Sequence, residues 1–74
     1  MNLDEAEILI NKALQYSPLS PHILDSKGWV LYKKNQCKEA MIWLKLAQKY
    51  SLKDDEELSS HIKAVSDCLS KQAN

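Results

Sequence analysis

The stretch LDSKGWVLYKKNQCKEAMIWLKLA, Leu24 to Ala47, decides the fold. In its first half, Leu24, Gly28 and Leu31 recur at steps of four and three. In its second half, Cys37, Ala40, Met41, Leu44 and Ala47 recur at steps of three, one, three and three. Such steps put residues on one face of an α-helix. Two of these faces, separated by Lys33-Lys34-Asn35-Gln36, read as a helix hairpin. Gly28 in mid-helix costs about 0.5–1 kcal/mol relative to Ala. Close approach compensates: the glycine lets Ala40 of the next helix come near.

Upstream, Asn2 is placed to cap a first helix, with Glu5 in capping-box position. Leu3, Ala6, Ile10, Ala13 and Leu14 form its apolar stripe, widened by Ile8 and Leu9. Pro18 disfavours helical geometry at Ser17, so this helix ends near Tyr16. Ser20-Pro21 starts the next, with Ser as cap and Pro in the first turn, where its missing N–H is harmless. Asn35 suits the left-handed residue that ends it.

Downstream, Ser51 to Lys53 is a short connection. Asp54 is placed to cap a fourth helix, with Glu57 in the capping-box place and Asp55 and Glu56 favourable to the helix dipole. Leu58, Ile62, Val65 and Leu69 form its stripe, and the opposite face is polar. The expectation is an all-α chain, one domain over 1–74, with helices at about 2–16, 21–34, 37–50 and 54–71. Residues from Lys71 to Asn74 are expected to fray.

Composition agrees. One Gly, two Pro and no Phe favour helices. Seventy-four residues are marginal as an independent core, so the chain must pack efficiently, oligomerise or belong to something longer. All ten basic residues are Lys, balanced by ten acids. Bidentate phosphate and guanine contacts are Arg chemistry, so no nucleic-acid partner is expected. No apolar run approaches the roughly 20 residues a membrane helix needs, and no membrane partner is expected. Asp4, Glu5 and Glu7 near the start are unlike a secretory signal. The expected setting is the cytoplasm, unless the chain is excised from a longer, processed protein.

Sliding the chain against itself by 34 residues sets Glu5 on Glu39, Ala6 on Ala40, Ile8 on Ile42, Ala13 on Ala47, Tyr16 on Tyr50 and Ser17 on Ser51. Leu24 falls on Leu58, Ser26 on Ser60 and Leu31 on Val65. The first and third helices are copies, and more loosely so are the second and fourth. A paired-helix period of this length marks one class of solenoid.

At these residues the chain resembles a tetratricopeptide repeat. The pattern reads Leu24, Lys27-Gly28, Leu31, Ala40, Leu44, Ala47 and Leu52, preceded by Ala6, Ile10, Ala13 and Pro18 and followed by Leu58, His61-Ile62 and Val65. Departures are Lys27 for Leu, Leu52 for Pro and Ile62 for Gly. Lys27 is expected to run its stem along the core and lift its charge to solvent. The resemblance implies antiparallel hairpins stacked as a short right-handed superhelical solenoid: half a repeat, one full repeat and a terminal capping helix. It also implies a fragment, or the C-terminal end, of a longer solenoid.

Family members bind partners on the concave wall built from the first helix of each repeat. Carried onto this chain, that wall presents His22, Asp25, Trp29, Tyr32 and Lys33, with Glu56, Ser59 and Lys63 beside it. Trp29 and Tyr32 are the expected anchors, since aromatics are typical of binding hot spots. The plainer alternative is that Trp29 packs between neighbouring helices. A subset of the family grips C-terminal carboxylates with cationic and amide groups. Here Asp25, Ser26 and Trp29 stand in those places, which argues against that ligand. Ile42 and Leu46 lie off the core stripe and suggest a second contact, on the convex side. Trp43 and Tyr50 are expected to cover the fourth helix.

Catalytic chemistry finds no constellation. Cys37, Cys68, His22 and His61 lack zinc-site spacing, and there is no Gly-rich phosphate loop. No metal or other cofactor is expected. Antiparallel packing of the last two helices brings Cys37 near Cys68, so a disulfide is geometrically accessible; two buried free thiols are the simpler expectation in a cytosolic setting. The reading is therefore a non-catalytic protein-interaction module for a peptide or protein segment. The alternative is a structural module assembling a homodimer by repeat stacking or helix exchange.

Overall fold

The computed structural model describes residues 2–52 and 54–72. Among them are four helices and no strand: α1 (Leu3–Tyr16), α2 (Pro21–Lys33), α3 (Cys37–Tyr50) and α4 (Glu56–Gln72). Lys53 of the expected linker, and Ala73 and Asn74 of the expected frayed end, lie outside the described residues. Lys71 and Gln72, also expected to fray, complete the last turn of α4.

The helix boundaries follow local chemistry. Asn2 Oδ1 accepts the N–H of Asp4 at 2.8 Å and that of Glu5 at 3.4 Å, satisfying donors that a helix start leaves free. The chain leaves α1 through Ser17, whose N–H reaches the Ala13 carbonyl. Pro21 opens α2, although the Ser20 side chain makes no capping bond. Asn35 takes φ 66°, the left-handed geometry its position calls for. At α4 the expected cap is off by one residue. Asp55, not Asp54, accepts the N–H groups of Glu57 at 3.0 Å and Leu58 at 3.2 Å. Two adjacent aspartates are equally able to cap, and Leu58, whose N–H the cap holds, lies in the core.

The core cluster is Leu24 and Leu31 from α2, Cys37, Ala40, Leu44 and Ala47 from α3, and Leu58 and Val65 from α4. Gly28 lies at its centre. A Cβ there would sit 3.1 Å from the Ala40 carbonyl oxygen, and closer still to the Leu44 side chain. The hairpin crossing is therefore as tight as the sequence requires, with Leu44 as the nearest neighbour alongside Ala40.

Contacts fix the directions. Lys34, at the C-terminal end of α2, meets Asp4 and Glu7 of α1, while Lys27 reaches Glu7 and Asn11. α1 and α2 are thus antiparallel. Cys37 at the start of α3 joins Cys68 near the end of α4. By contrast Asp25 meets His61 and Asn35 meets Gln72, so α2 and α4 run side by side in the same sense.

Two expectations are corrected. Lys27 does not lift its charge to solvent: the residue is 7% exposed. Its ammonium donates to Glu7 at 2.8 Å and to Asn11 at 2.7 Å, and lies 5.6 Å from the centre of the Trp43 ring. Burial of a charge is tolerable because an opposite charge on α1 meets it there. Trp43, expected to cover α4, accordingly sits beside Lys27 of α2. Nor are the cysteines free thiols: Cys37 and Cys68 form a disulfide, with Cα atoms 6.4 Å apart. The antiparallel packing that makes the bridge accessible from the sequence brings the two helix ends within bonding range.

Candidate functional site

α2 and α4 together build the face on which the expected wall lies. Trp29 occupies its middle. Its indole stacks on Tyr32 of its own helix, with centroids 4.8 Å apart, and on His61 of α4 at 4.0 Å. Lys33 Nζ lies 5.2 Å from the Trp29 ring and 6.0 Å from the Tyr32 ring, within cation–π range. Trp29 therefore does pack between helices, and it remains half-buried rather than sealed.

His61 is held from two sides. Its Nδ1 is 2.8 Å from Asp25 Oδ1, and its Nε2 is 3.9 Å from Glu57 Oε1. Asp25 is half-buried, and one of its oxygens is engaged by the imidazole rather than free for a ligand. Donor atoms of Asp25, Glu57 and His61 all lie within 4.8 Å of one another, and this is the metal-capable group among the described residues. His61 Nδ1 and Asp25 Oδ1 are spent on each other, which ties up a ligand atom on two of the three residues. The arrangement is better matched to a hydrogen-bonded latch between α2 and α4.

Beside this latch a cleft of 690 Å³ runs between the C-terminal halves of α2 and α4. Tyr32, Lys33 and Asn35 line one side; Ala64, Asp67, Cys68, Lys71 and Gln72 line the other. Of the expected wall residues, Tyr32 and Lys33 border this cleft and Trp29 adjoins Tyr32. His22 is exposed and lines a separate hollow with Tyr50, Leu52 and Glu57. Lys63 is exposed on α4, outside both. Glu56 and Ser59 are exposed as well.

The α4 side of the cleft and the role of His61 went unread in the sequence. Asp25 and His61 are about one repeat apart, so a search for ligands close in sequence passes over them. Matching α2 to α4 at a repeat plus two residues would have paired them. On the convex side, Ile42 is exposed as expected, whereas Leu46 is half-buried against the core.

Comparison with known proteins gives one informative likeness. A protein of Pseudomonas aeruginosa named TPR repeat-containing protein is 39% identical over 59 residues, which cover 78% of this chain and 10% of the relative. The match therefore spans about a tenth of that relative's length. No profile of a known protein family matches the chain. No solved structure matches it significantly.

Proposed function

Because this chain belongs to the tetratricopeptide-repeat family, we propose that it is a non-catalytic binding module whose α2–α4 face takes an extended segment of a partner protein. The observation that carries this reading is the cleft itself. Asn35, Gln72, Asp67, Tyr32, Lys33 and Lys71 line it with donors and acceptors. An extended peptide leaves its backbone N–H and C=O groups unpaired, and groups of this kind can satisfy them. The adjoining Trp29–Tyr32–His61 stack gives a partner side chain an aromatic surface to anchor on.

The test is affinity capture with the wild type beside Lys33→Glu/Lys71→Glu. Both lysines are exposed, so helicity should be unchanged. Loss of at least one partner supports the assignment. Retention of every partner overturns it.

A second reading rests on α1. Ile8 is 55% exposed and Leu9 64%, and Tyr16 and Leu19 are exposed beyond them. An uncovered apolar flank of this size favours self-association by repeat stacking. Sedimentation separates the two readings: a monomer at micromolar concentration removes the second and leaves the first.

A further inference from the structure

We infer that the outer face of α3 is a second docking surface, and that its occupant is an acidic amphipathic helix. The face is an open hollow of 540 Å³ floored by Met41, Ile42 and Leu46, with Leu69 of α4 at its edge. Ile42 is 61% exposed. Lys38, Lys45 and Lys49 rise from the same surface. They follow one another at steps of seven and four, which is a single stripe along the helix.

The charge selects the partner's sign. Among the described residues lining this surface none carries a carboxylate. Among the described residues Lys38 and Lys45 form no ion pair, and Lys49 faces the Tyr50 ring at 5.6 Å. Lys27 of α2 and Lys34, which caps its end, are placed differently: both are bound to acids of α1. Nor does the repeat impose the stripe. One period earlier, the residues matching Lys38, Lys45 and Lys49 are Asp4, Asn11 and Gln15, whereas Ile8 matches Ile42. Ile42 alone recurs: Met41 and Leu46 fall on Glu7 and Lys12, so both the apolar floor and the lysine stripe are particular to α3, in a chain whose formal charge is zero.

The lining selects the partner's conformation. Among the described residues that line it, the lysine ammonium groups, which only donate, are the polar side chains. It offers no acceptor to the N–H groups of an extended peptide. A helix satisfies its own backbone and needs only an apolar stripe with acids beside it. Met41 adds a side chain that adapts to varied shapes. From Lys38 to Lys49 the face is roughly 16 Å long, a match for about three helical turns.

The test uses a stapled helix of about three turns, with Leu on one face and Glu on both flanks. Controls are a scrambled peptide of the same composition and a copy with Lys in place of Glu. Anisotropy reports binding, and backbone amide shifts report the face used. The acidic helix should bind with an affinity that falls as salt rises. Ile42→Asp should weaken it by about tenfold or more. Lys38→Glu/Lys45→Glu should lose the acidic helix and gain the lysine-flanked one. All three positions are exposed, so helicity serves as the folding control. The proposal is overturned by absent or sequence-independent binding, or by shifts confined to Tyr32 and Lys71. It is equally overturned if Ile42→Asp abolishes self-association or binding to phosphatidylserine vesicles while leaving the helical probe bound. This face is distinct from the α2–α4 cleft, so its failure leaves the peptide-binding reading standing.

Discussion

A Cβ atom placed on Gly28 would lie 2.7 Å from Cγ of Leu44, well inside van der Waals contact. Leu44 is fully buried and cannot swing away, and the Ala40 carbonyl closes the other side at 3.1 Å. Gly28→Ala gains about 1 kcal/mol of helix propensity. It loses about 1–3 kcal/mol to overpacking. The expected balance is a net loss of about 1 kcal/mol, seen as a melting point lower by several degrees. Gly28→Val should cost more. In a Leu44→Ala background the Gly28→Ala loss should shrink, and a double-mutant cycle in urea measures that coupling.

Lys27 and Glu7 should respond asymmetrically. Glu7 bonds both Lys27 and Lys34. Lys27→Leu leaves Glu7 paired with Lys34, removes the buried charge and frees the exposed Asn11 to water, so stability should stay within about 1 kcal/mol of wild type. Glu7→Leu leaves the buried Lys27 with Asn11 alone and should cost about 1–3 kcal/mol. Chemical denaturation of the two variants checks the ordering.

The same carboxylate sets the acid limb of stability. Hydrogen bonds from Lys27 and Lys34 hold the Glu7 carboxyl below its ordinary value of 4.5. A folded-state value below the unfolded one stabilises the fold above the unfolded value. That contribution disappears as pH falls through the folded value. Lys34 is shifted upward, chiefly by its bond to Glu7, so its contribution is present at neutral pH and fades only above the ordinary lysine value of 10.5. Glu7→Gln should therefore flatten the loss of stability below about pH 4.5. Melting curves from pH 3 to 7, taken at about unit steps, test this.

The fold was legible because its periodicity is redundant. Leu24, Leu31, Ala40, Leu44 and Ala47 mark the hairpin, and the offset copies repeat it. What escaped the sequence lies in pairings between helices. Lys27 looks like a snorkelling lysine until α1 brings Glu7 to it. His61 looks isolated until α4 lies beside α2 and Asp25 meets it. Asp54 and Asp55 are interchangeable as letters, and only the structure shows Asp55 taking the N–H groups of Glu57 and Leu58. The cleft was half legible: Tyr32 and Lys33 were found from α2, while Asp67, Lys71 and Gln72 required the register between two helices.

The disulfide should matter to stability. It closes a segment with a sequence separation of 31 residues. Loop entropy for such a closure amounts to about 3–4 kcal/mol. Reduction, or Cys68→Ser, should shift the urea midpoint down accordingly. Thiol alkylation followed by mass measurement shows which form exists in cells. In a reducing cytoplasm, the setting expected from the sequence, the stability to compare is that of the reduced chain.

The central claim is that the α2–α4 face receives an extended peptide. The most direct measurement is selection of binders from a displayed random-peptide library, followed by amide chemical-shift mapping with the most enriched peptide. The expected result is a continuous set of shifts over Trp29, Tyr32, Lys33, Ala64 and Lys71, with the peptide extended when bound. Shifts confined to α1 or to the outer face of α3, or selection that enriches no peptide, would contradict it.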